Sequence, residues 1–568
     1  MGVPITAPEY RRAAVLVEFC IARYRRIKVV TRVIVSSLSV VKDGAFFIHD
    51  NRKFAKRTLY RINFKEEIRM SEAVLEEARR KKLEYVRTIT NPYPERFEKN
   101  YEISDAKALE DGTCNVKTAG RILLLRKMGK LSFVTLADIQ GHIQIAVKKD
   151  CIGEDAYEFF KKGFDIGDFM GVEGEIFTTQ TGEKTIRADS ITFLGKALKP
   201  LPEKFHGIND TDSCFRQRYL DLIMNEDTRQ RFLLKFQFIR EVRRFLEDHD
   251  YLEIETPVLI DKPSGATARP FLSHHNALDI DVYLRIAPET YLKRAIVGGF
   301  TKVFEFARCF RNEGIDTTHL QDFTMLEGYC AYYNYKDNML FLQEMLRCVV
   351  TKLFGSSAIT IGDKIINFAG EWPVVSFRNL ILGDSGIDIN RYENAESLLC
   401  EIKARNITLE SDTELSLLGR GNLIDLLYKK VSRPKLISPT FLVEHPTSLS
   451  PLARANDENP KVVDRFQLII NGAEVINAYS ELVDPIDQKQ RLYEQARLKA
   501  KGDDEAMPLD QDYITAMEYG MPPISGWGMG IDRILQVLTG EENIKNMLLF
   551  PLMRPIKNDQ KDSQKSEE

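Results

Sequence analysis

Residues 304–335, FEFARCFRNEGIDTTHLQDFTMLEGYCAYYNY, constrain this chain more than any other stretch. The pattern predicts two antiparallel strands joined by a polar loop. The first covers Phe304 to Phe310 and is aromatic and apolar. The loop holds Asn312, Glu313, Gly314, Asp316 and two threonines. The second runs from Phe323 to about Tyr333. Strand side chains alternate between faces, so Phe323, Met325, Glu327 and Tyr329 share one face and Thr324, Leu326, Gly328 and Cys330 the other. Six residues at about 3.3 Å each span about 20 Å, room for a nucleotide at one end and a small substrate at the other. Phe323 offers a flat ring to a base, and Arg311 a fixed fork to a phosphate or carboxylate. Glu327 and Tyr329 form a negative, hydrogen-bonding end suited to an ammonium. Spacing alone favours an ordinary hairpin with a charged loop.

A chain of 568 residues is too long for one core and implies two or three domains. Its net charge of −3 gives no bulk attraction to nucleic acid, so any such binding must come from local patches. The eight cysteines include no CxxC pair and no histidine cluster at zinc spacing. They read as free thiols of a reducing compartment. No run of about 18 apolar residues is present to span a membrane.

Residues 1–69 carry 15 Lys and Arg against 6 Asp and Glu, a basic leader of uncertain role. Three readings stay open: an organelle-targeting leader, a basic arm adding non-specific affinity for RNA, or a start of translation at Met70. Glu9 and Glu18 count against a transit peptide, and Met70 followed by the N-cap Ser71 and a clean helix favours the third. A leader helix over 70–104 ends near the breaker Asn91-Pro92-Tyr93-Pro94. Residues 105–197 then show short alternating strands with turns at Gly129, Gly141, Gly174 and Gly182, the signature of a small β-barrel. A proline-marked linker covers 198–214, and a large domain covers 215–556. The spacing there predicts a helix over Arg229–His249 with Phe232, Phe236, Ile239, Val242, Phe245 and Leu246 on one stripe, running into a strand, YLEIETPVLI. Residues 336–436 read as helical packing material. The tail, 557–568, reads as disordered.

FRNEG, His319 and FTMLEGY together resemble motif 2 of the class II aminoacyl-tRNA synthetases, in their lysyl branch. The helix, strand and Pro257 resemble motif 1, which implies a homodimer. GMGIDR resembles motif 3. KMGKLSFVTLAD resembles the anticodon-binding barrel of the same branch. The similarity covers about residues 70–556, with all three motifs and the barrel in order. It implies an α+β fold, an antiparallel-sheet catalytic domain preceded by an all-β OB-fold barrel. It also implies ATP, L-lysine and tRNA(Lys) as substrates, and a cytoplasmic location, or a mitochondrial one if the leader is a targeting segment.

The same resemblance implies roles for particular residues. Arg311 and Arg533 would be catalytic, gripping the α- and γ-phosphates. Asn312, Glu313, His319, Leu320, Phe323, Glu474, Val475, Gly530, Ile531 and Asp532 would join them in binding ATP. Gly265, Glu289, Glu327, Tyr329, Asn477, Tyr479 and Glu481 would bind lysine. Arg126, Phe133, Gln144 and Glu183 would contact the anticodon, with Phe133 stacking on a base. Read without the family, Phe133 is a core residue. Magnesium would sit at Glu474 and Gln467, where the family usually has Glu in place of Gln467. Two further departures are Ser264 before Gly265, and Leu320-Gln321-Asp322 after His319. His445 could serve as a base but reads as structural. Two rivals remain: a non-catalytic paralogue, and a ligase that attaches lysine to protein.

Overall fold

The computed structural model describes residues 72–202, 210–266, 268–314, 316–410, 414–447, 450–500 and 507–556. The basic leader, Met70, Ser71 and the tail from 557 fall outside these, so the expectations placed on them do too. The chain divides into two compact units, one ending at Glu203 and the other starting at Lys204.

In the first unit five strands close a barrel: Val116–Met128, Leu131–Ala137, His142–Lys148, Phe169–Thr178 and Lys184–Gly195. Alternation sets its inside. Ser132, Val134 and Leu136 of one strand and Ile143, Ile145 and Val147 of the next are buried. The helix Glu154–Gly163 caps this core with Tyr157 and Phe160, and Phe164 meets the Phe193 ring at 4.6 Å. The helix over residues 72–87 also packs here. Leu83 and Val86 are buried, and Arg79 donates to the Ala197 carbonyl at 2.9 Å.

The second unit is built on an eight-stranded sheet. In spatial order its strands are Val374–Ser376, Thr440–Val443, Arg465–Ile470, Ala473–Ser480, Ile524–Gly530, Asp322–Ala331, Lys302–Phe310 and Leu252–Glu253. The six central strands are antiparallel, and each edge strand pairs in parallel. One face is covered by the helices Glu226–Asp248, Tyr335–Phe354 and Ile531–Thr539, which enclose Phe304, Leu326, Trp527 and Met529. A smaller core gathers the helices Phe377–Ser385, Ala395–Ala404 and Arg420–Val431 against Leu442 and Ile469.

Three local expectations need correction. The buried stripe of helix Glu226–Asp248 is Thr228, Phe232, Lys235, Phe238, Val242 and Leu246. Phe236 is half exposed and off that stripe, because the burial follows i, i+3, i+4 steps from Phe232 through Phe238. The segment YLEIETPVLI forms two strand fragments of two residues each, Leu252–Glu253 and Leu259–Ile260, on either side of Pro257, which has no N–H for a ladder. Residues 336–436 also contain a hairpin, Ala358–Ile361 with Lys364–Asn367.

Trp527 lies directly across the ladder from Gly328, and its indole covers the glycine. A Cβ at 328 would stand 2.4 Å from Trp527 Cζ2, and the ring is fully buried. Gly328→Ala is therefore expected to cost about 1–3 kcal/mol by overpacking. Denaturant unfolding of the full chain checks this; unchanged stability would contradict it.

Candidate active site

The sheet face opposite the core presents Phe323, Met325, Glu327 and Tyr329 on one strand. Its neighbour, Ile524–Gly530, presents glycines 526, 528 and 530 in register with Tyr329, Glu327 and Met325. The next strand sets Tyr479 opposite Gly526 and Asn477 opposite Gly528, and beyond it Gln467 opposes Asn477. Side chains thus flank a strip that has none. A Cβ at Gly528 would meet nothing closer than 3.6 Å, and one at Gly530 nothing closer than 3.5 Å, so these glycines hold space open over the backbone. A cavity of about 370 Å³ lies above the strip.

One end of this cavity attracts anions. Arg311 follows directly on strand Lys302–Phe310, and its guanidinium stacks 5.2 Å from the Phe323 ring centroid. Its Nε is buried without a hydrogen-bond partner, and it has no ion-pair partner among the described residues. Among the described residues Arg533, on the first turn of helix Ile531–Thr539, reaches only the Glu474 carbonyl, at 3.5 Å. Glu313, His319, Leu320, Val475, Gly530 and Asp532 complete this end. Asp316 accepts from the backbone and hydroxyl of Thr318 and from His319, which shapes the loop. Burial works against its charge, but those hydrogen bonds hold its pKa at about 2. Asp532 is occupied structurally: its carboxylate takes Lys235 Nζ at 2.5 Å and Thr324 N at 3.1 Å.

The other end attracts cations. Glu289, Glu327 and Glu481 are buried, and Glu289 and Glu327 line the cavity. Tyr329 donates to Glu327 at 2.9 Å, and Tyr479 donates to Glu289 at 2.7 Å. Glu481 Oε1 has no hydrogen-bond partner among the described residues, while Oε2 contacts Lys293 Nζ. Burial, then the Glu289 charge, pushes Glu327 up to about 8. Burial raises Glu481 well above the ordinary carboxylate range, and Lys293 opposes that rise. Gly265 closes the wall with φ +91°, a backbone conformation disfavoured for other residues, and a Cβ there would stand 3.0 Å from Glu289 Cβ. Ser264 donates to Asp510 at 2.9 Å and is buried behind it.

Four of the expected residues lie outside the cavity. Asn312 is exposed, with its backbone N–H on the Arg269 carbonyl. Ile531 is core. Glu481 is buried beside Tyr329 against Gly526, its Oε1 2.5 Å from where a Gly526 Cβ would be. Gln467 stands behind Glu474 and donates to it from Nε2 at 2.7 Å. A carboxylate only accepts, so the amide nitrogen must face Glu474 and the amide oxygen must face His445 Nε2, at 3.2 Å. As oriented, Gln467 offers no oxygen to a metal. Among the described residues no three His, Cys, Asp or Glu side chains converge as a metal site. Glu474 alone is a donor there, which suits a magnesium ion held mainly by phosphates and water. His445 is buried, and burial, then the Arg465 charge, lowers its pKa well below the ordinary imidazole value, so it is a neutral hydrogen-bond donor.

Two cations of the site, the half-buried Arg465 and the buried Lys293, are not anticipated from the sequence. Arg465 donates to Asn477 Oδ1 at 2.8 Å and to Ser450 at 2.7 Å. Its signal was alternation, since it lies two residues before Gln467 on one strand. Lys293 bridges Glu289 and Glu481, and its signal was the i, i+4 spacing from Glu289.

On the barrel, Phe133 belongs to the outer face, partly exposed, because its neighbours Ser132 and Val134 point inward. The core reading of Phe133 is thereby corrected. Arg126 lies directly across the ladder from it and is exposed. Gln144 is two rungs along the next strand and donates to Thr185 at 3.1 Å, and Glu183 stands in the turn just before Thr185.

Comparison with known proteins follows this geometry. Residues 210–554 match the family described as tRNA synthetases class II (D, K and N), and residues 116–194 match the OB-fold nucleic acid binding domain. The chain is 43% identical over 495 residues to a lysine–tRNA ligase of Thermosipho africanus (strain TCF52B), covering 85% of this chain and 97% of that one. It is 42% identical over 493 residues to the lysine–tRNA ligase of Enterobacter sp. (strain 638), covering 84% and 96%. It is 43% identical over 486 residues to that of Bacillus cereus (strain B4264), again covering 84% and 96%.

The Glu327 shift has a consequence for stability. Its folded pKa of about 8 lies above the ordinary 4.5, so the stability it contributes is complete below 4.5 and is lost as pH rises through 8. Between pH 7 and 9 the melting temperature of the ligand-free protein should fall more steeply than that of Glu327→Gln. Parallel profiles would contradict the assignment.

Proposed function

The chain belongs to the class II tRNA synthetases of the D, K and N group, in the lysine–tRNA ligase family, and on that premise we propose that it is an ATP-dependent lysine–tRNA ligase. The observation that carries the reading is the polarity of one cavity. Two guanidinium groups with no carboxylate partner among the described residues, and an aromatic ring, stand at one end; Glu289 and Glu327 line the other, with Glu481 buried beside them. ATP fits the first, and an amino acid with a side-chain ammonium fits the second. A pocket for aspartate would need a cation facing its side chain.

Lysine enters with its ammonium groups toward Glu289, Glu327, Glu481, Tyr329 and Tyr479, beside the Gly265 backbone and Asn477. Its carboxylate then lies toward Arg311. The carboxylate oxygen attacks the α-phosphorus of ATP, forming a P–O bond as the bond to the β-phosphate oxygen breaks. The products are lysyl-adenylate and pyrophosphate. A hydroxyl of the tRNA 3′-terminal ribose next attacks the lysyl carbonyl, releasing AMP. No side chain acts as nucleophile. The protein contributes position and charge, which is the main requirement of phosphoryl transfer. Arg311 steadies the α-phosphate and Arg533 the γ-phosphate, while Phe323 and Glu313 hold the adenine. Glu474, oriented by Gln467, would hold magnesium, which would supply positive charge to the phosphates.

The barrel reads the anticodon through Phe133, Arg126, Gln144 and Glu183. Support comes from the outer-face position of Phe133 and the exposure of Arg126 across from it. The working form is a homodimer. Supporting it, Leu259, Leu272 and Ile280 of one three-stranded sheet are exposed. No helix among the described residues is long and apolar enough to cross a membrane, and the seven described cysteines are free, which fits a reducing compartment such as the cytoplasm.

Two measurements check this. ATP–pyrophosphate exchange should require L-lysine and should not run with aspartate, asparagine or arginine; exchange with none of the four would favour a binding-only paralogue. Phe133→Ala should raise the KM for tRNA(Lys) in charging by about 5- to 150-fold, the range of one lost base stack. Exchange, which needs no tRNA, should stay within about twofold. Undiminished charging would remove the barrel from anticodon reading.

A further inference from the structure

Lys293 is wholly buried, and the chemistry above leaves it unused. It lies one helical turn after Glu289 on helix Glu289–Val297, so both side chains share a face. Its Nζ is 2.5 Å from Glu289 Oε1 and also contacts Glu481 Oε2. The rings of Tyr479 and Tyr513 stand 5.6 and 5.8 Å from the same nitrogen. Burial disfavours its charge, but Glu289 and then Glu481 outweigh that and hold the ammonium well above the ordinary lysine range.

The charges around this nitrogen can be counted. The helix contributes Glu289 and Lys293, strand Asp322–Ala331 contributes Glu327, and Glu481 follows strand Ala473–Ser480. Arg294 is paired with Asp510, a neutral couple. Arg465 is directed at Asn477 and Ser450, and Arg311 belongs to the far end. The cluster therefore holds three carboxylates and one ammonium. With all three carboxylates ionised, as bound cations favour, its deficit is two positive charges, the number of ammonium groups on an α,ω-diamino acid.

We infer that Lys293 is a resident counter-ion that fixes this deficit at two, and is thereby a positioning and specificity-determining residue for the amino acid. The inference rests on the lysine-activating reading of the site. Lys293 stands between Glu289 and Glu481 and pairs with both before substrate arrives. Without it, two buried carboxylates share one site, and one must take up a proton. That proton must leave again before a substrate ammonium can find a charged partner. With Lys293 present and Glu481 neutralised, the deficit falls to one, and one substrate ammonium lacks a counter-charge. Removing both restores the deficit of two.

The effect of the substitution should therefore reverse sign with its background, which a packing role would not produce. The test is calorimetric titration of L-lysine into the full-length wild type, Lys293→Met, Glu481→Gln and the double variant, each checked by circular dichroism for folding. Lys293→Met should weaken lysine binding at least about tenfold in the wild-type background, the scale of losing a buried charge partner. In the Glu481→Gln background the same change should tighten binding at least about fivefold. A double variant that binds no more tightly than Glu481→Gln overturns the inference. This comparison stands even if Lys293→Met alone does not fold. A wild type that binds no lysine overturns the lysine-activating reading itself and the inference with it. Wild-type binding without the sign reversal overturns the counter-ion role alone.

Discussion

The register between strand Asp322–Ala331 and strand Ile524–Gly530 is the constraint on which the catalytic unit depends. It sets glycines 526, 528 and 530 opposite Tyr329, Glu327 and Met325. A one-residue slip would turn Trp527 and Met529 out of the core and put the glycines into it. The fully buried Trp527, lying over Gly328, prevents that slip. The same pairing therefore fills the core on one face and clears the cavity on the other. This suits chemistry in which the protein only positions two substrates.

Charge is organised along the same axis. Guanidinium groups are kept without carboxylate partners at one end, where they would otherwise be neutralised by the acids of the other. The acids are buried in pairs with a tyrosine hydroxyl or the Lys293 ammonium. Burial makes each unmatched charge expensive, so a ligand lacking the right charges leaves a carboxylate uncompensated. Selectivity in the proposed reading is a consequence of that cost. Gln467 fits the same pattern of charge: it holds Glu474 in place without adding a second negative group beside it.

Much of this was legible in the sequence. The face shared by Phe323, Glu327 and Tyr329 follows from strand alternation, and the barrel from regularly spaced glycine turns. What was not legible depended on three-dimensional neighbours. Phe236 and Phe238 are both phenylalanines two residues apart, and only the placement of the sheet decides which is buried. Phe133 read alone as core, because alternation tells that neighbours differ and not which face is inside. Asp532 looked available to a ligand, yet its carboxylate is engaged by Lys235, a residue 297 positions earlier in the chain. Lys293 drew no reading at all: its spacing from Glu289 was local, but its second partner, Glu481, is distant in the chain.

The central claim is that one ligand lies along one strand with its ends distinguished by charge. A crystal structure with a non-reactive lysyl-adenylate analogue tests it most directly. The account predicts the adenine against Phe323, the phosphate at Arg311, and the ammonium groups among Glu289, Glu327 and Glu481, with Lys293 retained between Glu289 and Glu481. An analogue bound in the reverse direction, or off the glycine strip, would contradict it.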